Sequence, residues 1–302
     1  MRGTHPEREV ERTLERSDVV AGGERVLIAC SGGPDSVALA AAMHGVAPRR
    51  QFSLHLGFVN HGTRASAWQD ECIVLQLAAD LALPLQIAVL EESGATEEAL
   101  RVARYDALAE MAKRTGCSAV VTAHHAEDQS ETVLLALLRG TGPVGLRGME
   151  GRRSLTTVID LARPLLKIPS ERLRAYCHAR ALPYAVDPSN SQTTLRRNAV
   201  RDALAALRPL FPGLDAAVAR AADVAAAERE DSPRARLRGA VREELRKETE
   251  LRDIDFLHVE EAVRALENGR TGTFHMKAGV ALRIEGGTIT GITRRGTSGD
   301  GD

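Results

Sequence analysis

Apolar positions in this chain recur with two different spacings, and the alternation between them predicts most of the architecture. Val10 and Leu14, with Val19 beyond them, mark one face of a short amphipathic helix over residues 6–20. From Val26 the pattern changes to a short uninterrupted apolar run, Val26 to Ala29, which reads as a strand. An apolar helix follows from Val37 through Ala41. A second strand spans 53–59, and a helix over about 65–82 places Trp68, Cys72, Leu75 and Ala79 on one stripe. Pro84 introduces a strand over 85–90, a helix covers about 96–115, and Ala119 to Ala123 form another strand. Thr156 to Leu161 fits a fifth strand, and Ser170, with Glu171 in the first turn, opens a further helix. Strand–helix alternation of this kind predicts an α/β fold with a doubly wound parallel sheet covered on both faces.

The punctuation changes at Arg208-Pro209-Leu210-Phe211-Pro212-Gly213, where the main boundary is placed. The expected organisation is an N-terminal helix within 1–24, a catalytic domain over 25–212, a smaller and mainly helical domain over 213–295, and a disordered tail over 296–302. Inside the smaller domain an Ala/Arg/Glu-rich helical stretch runs to about 248 and a helix covers about 255–268. Gly286-Gly287 sits between two short strands as a hairpin turn.

Composition narrows the class. The hydrophobic fraction of 43% supports a sizeable core, while no apolar run approaches the ~18 residues of a membrane helix. The N-terminus has no signal-peptide pattern, so a cytoplasmic protein without a membrane partner is expected. Cys30, Cys72, Cys117 and Cys177 are scattered with no C-x-x-C pair, which argues against a zinc ribbon, an iron–sulfur site or a disulfide framework. They are expected to be reduced and structural. A formal charge of −1 gives no global field for nucleic acid, and 3% aromatics excludes an extensive base-stacking platform, so any RNA contact must come from a local patch. Trp68 and Tyr105 are assigned to the core.

Two segments carry candidate chemistry. The first, Ser31-Gly32-Gly33-Pro34-Asp35-Ser36, joins the Val26–Ala29 strand to the next helix. Glycines there let backbone N–H groups converge on an anion, and a helix N-terminus adds partial positive charge. No Lys precedes Ser36, so this is not the loop that serves β/γ-phosphate chemistry. Asp35 beside a polyphosphate makes sense with Mg²⁺ between carboxylate and phosphate oxygens. Ser36 suits phosphate donation or helix capping, and the two are compatible.

The second segment, His124-His125-Ala126-Glu127-Asp128-Gln129-Ser130-Glu131-Thr132, begins where the Ala119–Ala123 strand stops, at the same sheet edge. If it turns helical, His124 and Asp128 share a face, as do Asp128 and Glu131. Carboxylates suit Mg²⁺ and histidine suits proton transfer or phosphate contact, whereas the spacing is not that of a zinc site. The bland alternative is a helix start whose acids complement the dipole. Asp35, His125, Asp128 and Glu131 are the candidate catalytic residues, with Asp35 and Asp128 the candidate metal ligands.

The S-G-G-x-D-S pattern resembles the PP-loop of the N-type ATP pyrophosphatases, which split ATP between the α and β phosphates. A wider set of motifs resembles the tRNA(Ile)-lysidine synthetases within that superfamily. His124-His125-x-x-Asp128-Gln129-x-Glu131-Thr132 is followed by Arg139-Gly140-Thr141-Gly142. Asn60-His61-Gly62 with Arg64 matches N-H-G-x-R, and Arg101, Arg104 and Tyr105 match the R-x-x-R-Y of E-x-x-A-R-x-x-R-Y, with Leu100 in place of Ala. Arg163-Pro164-Leu165-Leu166 matches R-P-L-L. Asp187-x-Ser189-Asn190, then Arg197-Asn198 and Arg201, matches D-x-S-N…R-N-x-x-R. The likeness is strong over about 25–210 and weak beyond, where Met276-Lys277-Ala278-Gly279 replaces a family-like Leu-Pro-Gly-Gly.

The resemblance implies an ATP- and Mg²⁺-dependent ligase. ATP adenylates the C2 oxygen of the wobble cytidine in an isoleucine tRNA with a CAU anticodon, and the ε-amine of free L-lysine displaces AMP to give lysidine. It implies ATP contacts at Ser31 to Ser36 and substrate or tRNA contacts at Asn60, His61, Arg101, Arg104, Arg139, Asn190, Arg197, Asn198 and Arg201. Judged by context alone, the arginine pairs would equally be solvated helix faces. A homodimer is compatible with the resemblance. Longer relatives carry an additional C-terminal domain, and this chain departs from them in being expected to have only the first, smaller appended one. The competing readings are another PP-loop enzyme of tRNA-thiolation or amidotransferase type, and a nucleotide- or tRNA-binding module without catalysis.

Overall fold

Alternate residues of the central strands sort into two cores on opposite faces of one sheet. The computed structural model describes residues 6–60, 67–90, 97–141, 145–185, 195–227, 233–247, 256–276 and 279–294. Its six-stranded sheet has the order β3-β2-β1-β4-β6-β5. The strands are β1 (Arg25–Ala29), β2 (Ser53–Asn60), β3 (Leu85–Val89), β4 (Ala119–Val121), β5 (Arg152–Ser154) and β6 (Asp160–Ala162). All neighbours pair in parallel except β5, which runs antiparallel to β6. Val26, Ile28, Ala119, Val121 and Ala162 pack on one face with α1 (Pro6–Arg16), α2 (Pro34–Arg50), α3 (Ala67–Asp80) and α6 (Ser170–Ala179). Leu27, Val120 and Leu161, the residues between them, pack on the other face with Tyr105, Leu108 and Met111 of α4 (Glu97–Arg114). This is the two-residue period of a strand, with both faces buried.

The strand order creates a crevice. From β1 the chain builds β2 and β3 outward on one side, then returns to the other side of β1 to lay down β4. Chains leaving β1 and β4 therefore diverge at their carboxyl ends, the place where open α/β sheets hold ligands. Ser31 to Ser36 leaves β1, and the His124-His125 segment leaves β4 into α5 (Ala126–Leu138).

The described chain forms two compact units, Met1–Thr132 with Met149–Arg220, and Val133–Gly148 with Ala221–Asp302. The first holds the six-stranded sheet, and α7 (Leu195–Leu207) also lies in it. The second has its own core, in which Val241 and Leu245 of α9 (Pro233–Arg246) and Val259 and Val263 of α10 (Phe256–Glu267) cover Leu282 and Ile284. Those last two belong to an antiparallel sheet β7-β8-β9 (Gly272–His275, Val280–Glu285, Thr288–Arg294). The expected hairpin is present: Glu285 pairs with Thr288, and Gly286 and Gly287 take φ of 57° and 79°. Two successive left-handed residues are what a tight turn matched to strand twist requires. α8 (Leu214–Ala227) runs across the division between the units. No helix of the described residues is long and apolar enough to cross a membrane.

Three expectations are corrected. The stripe assigned to α3 faces outward, with Trp68 62% and Leu75 47% exposed and Cys72 exposed, while Val74, Leu77 and Ala78 are buried. Both stripes are apolar, so periodicity cannot choose between them, and Trp68 is a surface residue. Tyr105 is in the core. The fifth strand is not Thr156 to Leu161. Those residues begin as a turn in which the Thr156 hydroxyl accepts from the N–H groups of Val158 and Ile159, joining β5 to a later β6. Strand β7 has no counterpart in the sequence reading.

Candidate active site at the carboxyl ends of β1 and β4

Gly32 has φ +83°, and a Cβ there would lie 3.0 Å from the Asp70 carbonyl oxygen, so position 32 needs glycine for both conformation and space. Gly33 is the N-cap of α2, with no side-chain cap, and Pro34 starts the helix. The first-turn N–H groups are thereby left to a ligand. Ser36 is buried and ties the loop to itself. Its Oγ accepts from the Ser31 N–H at 3.1 Å and donates to the Gly33 carbonyl at 3.0 Å. The backbone turn, more than the hydroxyl, is what faces outward.

Across the crevice His125 stands among three carboxylates. Its Nδ1 lies 2.9 Å from Glu127 Oε2, and its Nε2 lies 3.5 Å from Asp128 Oδ2 and 3.7 Å from Asp35 Oδ2. The approach to Glu127 is off the axis of the ring N–H, so it acts as an ion pair more than as a directed hydrogen bond. Burial alone would lower the His125 pKa. The contact with Glu127 and the charges of Asp128 and Asp35 outweigh it and lift the value to about 9. Glu127 is likewise raised by burial, yet its contact with His125 and the Ser170 N–H hold it down to about 2. Burial pushes the Asp35 carboxyl up, against the pull of His125.

Local structure fixes these positions. Asp128 accepts from the His125 backbone N–H at 3.1 Å, one half of a capping box at the start of α5. Glu127 accepts from the Ser170 N–H and Oγ at 3.0–3.1 Å, capping α6, whose own N-cap Pro169 has no side-chain cap. Gln129 exchanges two hydrogen bonds with the Met149 backbone, 2.7 and 3.2 Å.

His124 is in the opposite electrostatic state. Continuing the alternation of β4, it lies on the α4 side with Val120, and its Nδ1 is 2.8 Å from Thr122 Oγ1. Burial, then the charges of Arg163 and Arg104, lower its pKa to about 3. One histidine is a cation and its neighbour is neutral because they serve opposite sides of one strand end.

A family model described as a PP-loop domain matches residues 4–207. Curated proteins named tRNA(Ile)-lysidine synthase are similar over the same region. That of Salinispora arenicola is 43% identical over 209 residues, 67% of this chain and 62% of that protein. That of Thermosynechococcus vestitus is 37% identical over 231 residues, 76% of this chain and 67% of that protein. The chain belongs to the PP-loop family, in its tRNA(Ile)-lysidine synthase branch. The matched stretch spans 62% of the length of the Salinispora relatives and 45% of that of Ralstonia nicotianae. The U34-tRNA thiolase NcsA from Methanococcus maripaludis shares the fold, with a TM-score of 0.62 at 18% identity over 76% of this chain and 80% of that one.

Within this PP-loop unit the other candidates distribute unevenly. Glu131 is 3% exposed, and its carboxylate receives Arg201 Nε at 2.8 Å and Nη2 at 3.2 Å, with Arg197 Nε at 3.3 Å. A catalytic candidate and two tRNA candidates are thus each other's partners. Asn60 bonds Glu71 at the end of β2. Arg101 pairs with Glu98 on the exposed face of α4, and both Arg101 and Arg104 lie over the Tyr105 ring, at 5.7 and 5.5 Å. Asn198 is half-buried on α7. Arg139 is exposed and belongs to the second unit. His61 and Asn190, with Arg64, Asp187 and Ser189 of their motifs, lie outside the described residues. In the second unit Arg238 bonds Glu260 and Arg246 bonds Glu243, so part of its arginine charge is answered locally.

Glu127 and Arg163 were not among the candidate site residues. Glu127 stands two positions from His125 and contacts it, but its second partner Ser170 is 43 positions away, and no local signal marks that contact. Arg163 was visible as the start of R-P-L-L, but nothing in its neighbours indicated that it would be 6% exposed.

Proposed function

We propose that this chain ligates L-lysine to C2 of the wobble cytidine of isoleucine tRNA carrying a CAU anticodon, converting ATP to AMP and pyrophosphate and giving lysidine. The observation that carries this reading is the juxtaposition of the Gly33-capped start of α2 with Asp35, His125 and Asp128 at the sheet's switch point. The family and its named relatives support the choice of substrates. In this assignment residues 25–212 are catalytic, 213–295 contact the tRNA, and the protein works in the cytoplasm.

The N–H groups at the start of α2 bind the pyrophosphate portion, and protonated His125 supplies a positive charge beside it. Among the described residues no cluster of three metal-ligating side chains occurs. Mg²⁺ does not need one, because it commonly takes one or two carboxylates together with substrate phosphates. Asp35 Oδ1 is buried without a hydrogen-bond partner, and hard carboxylate oxygens suit this ion. Asp35 and Asp128 would hold it, and it would neutralise polyphosphate charge. Lysine arrives as an ammonium and must lose a proton before it attacks. The carboxylates around His125 attract that ammonium. Glu131, enclosed by Arg197 and Arg201, acts by positioning them.

Incubating the protein with ATP, lysine and unmodified isoleucine tRNA, followed by nucleoside analysis, tests the proposal. One lysidine per AMP is expected. ADP as product, or sulfur in place of an amine on the anticodon, would overturn it.

A further inference from the structure

Helix α6 brings to the crevice a cation that the chemistry above does not use. Ser170, Arg174 and Cys177 are spaced i, i+4, i+7, so they lie on one helix face. Both outer positions are anchored at the site. Ser170 donates from its N–H and Oγ to Glu127, the partner of His125. The buried Cys177 thiol donates to the carbonyl of Pro34, the first residue of α2, at 3.3 Å. Past the end of α6 the Ala185 N–H donates to the Gly32 carbonyl at 2.9 Å, a further tie to the same loop. Arg174, between the two anchors, therefore faces the space between Glu127 and the α2 start. It is exposed, and among the described residues no carboxylate forms an ion pair with it.

The charge balance of the crevice gives this side chain a task. Burial pushes the Asp35 carboxyl up while the charges of His125 and Arg174 pull it down, so the guanidinium is within electrostatic reach of the site. Asp35, Glu127 and Asp128 outnumber His125, whose charge they already answer. A polyphosphate at the uncapped N–H groups of α2 meets those carboxylates as repulsion. Two other arginines of this helix region are engaged elsewhere, Arg172 with Glu9 and Arg180 with Glu11.

We propose that Arg174 binds the pyrophosphate portion of ATP from the α6 side of the crevice. This rests on the reading that the α2 start takes the ATP polyphosphate. The planar guanidinium offers paired N–H donors that match phosphate oxygens. An RNA phosphate shares this chemistry, but it would have to enter beside the loop that Cys177 and Ala185 hold, where the ATP phosphates sit.

Calorimetric titration of the full chain with Mg·ATP and with Mg·pyrophosphate, and filter binding of tRNA without nucleotide, test the proposal. Arg174→Gln should weaken Mg·ATP and Mg·pyrophosphate alike by about five- to tenfold, slightly below the scale of a charge-assisted hydrogen bond because the side chain is exposed. Arg174→Lys, which keeps the charge and loses the fork, should recover part of that affinity. Arg172→Gln removes a charge from the same helix at its contact with Glu9, and should stay within about twofold of wild type. The tRNA affinity of every variant should do the same. Unchanged Mg·ATP and Mg·pyrophosphate affinities in folded Arg174→Gln overturn the proposal. So does a loss of tRNA affinity in place of ATP affinity, which would make Arg174 an RNA-backbone contact. An equal loss in Arg172→Gln overturns it too, since the effect would then be one of net charge. Wild type that binds neither Mg·ATP nor Mg·pyrophosphate fails the parent reading instead, and the proposal falls with it.

Discussion

Replacing His125 with Asn tests the electrostatics of the site without any substrate. The folded pKa is about 9 against an ordinary 6.5, a gap of about 2.5 units. At about 1.36 kcal/mol per unit, the protonated form contributes at most about 3 kcal/mol to folding. Because the folded value is raised, this stability is fully present below pH 6.5 and is lost as pH rises through about 9. His124 acts in another window. Its folded value is about 3, so it stays neutral where the unfolded chain would protonate, and stability falls as pH drops below 6.5. Glu127, held to about 2, contributes above pH 4.5 and loses that contribution as pH falls toward 2, through the same pair as His125, so the two are not added. The interval from 6.5 to 9 therefore belongs to His125. Urea unfolding of wild type and His125→Asn, followed by circular dichroism without nucleotide or metal, reads the difference directly. Titrations common to both chains cancel. The variant should be less stable by about 2–3 kcal/mol near pH 6.5, and the gap should close as pH approaches 9.5. A gap that stays constant from pH 6 to 9.5 would refute the assignment of His125 as a cation held by Asp35, Glu127 and Asp128.

Gly32→Ala should destabilise the first unit by about 1–3 kcal/mol, from the left-handed backbone and the close Asp70 carbonyl, and should depress ATP-dependent turnover; thermal melts and an AMP-release assay check both. Glu131→Ala should cost about 2–3 kcal/mol, below the ~3–5 typical of breaking a buried pair because Arg197 and Arg201 are about a third exposed, whereas Glu131→Gln should cost less. If Glu131→Ala melts within about 1 °C of wild type, its carboxylate is not what holds the two arginines. The sole tryptophan, Trp68, should be quenched by iodide in the folded protein nearly as well as in urea, and a protected, blue-shifted emission would contradict its outward position on α3.

The parts of the fold that were legible in the sequence are those where one physical requirement dominates. The Val26–Ala29 and Ala119–Val121 runs can only be strands buried on both faces, and the loop after each must then fall at one sheet edge. Where two requirements compete, pattern does not decide. In α3 either apolar stripe would serve, and contact with β2 selects Val74, Leu77 and Ala78. The β5–β6 turn has no glycine because the Thr156 hydroxyl supplies what a turn residue usually would. The site was legible as two segments but not as a charge arrangement. His124 and His125 look like one functional pair in the sequence, yet strand parity sends them to different neighbours, one toward Arg104 and Arg163, the other toward Asp35 and Glu127. Parity can be read from the sequence, but the partners cannot, because Arg163 and Ser170 arrive from strands and helices far along the chain. A paired-histidine motif at a strand end is therefore better read as two half-sites than as one, and the chemistry of each depends on which helix covers its face.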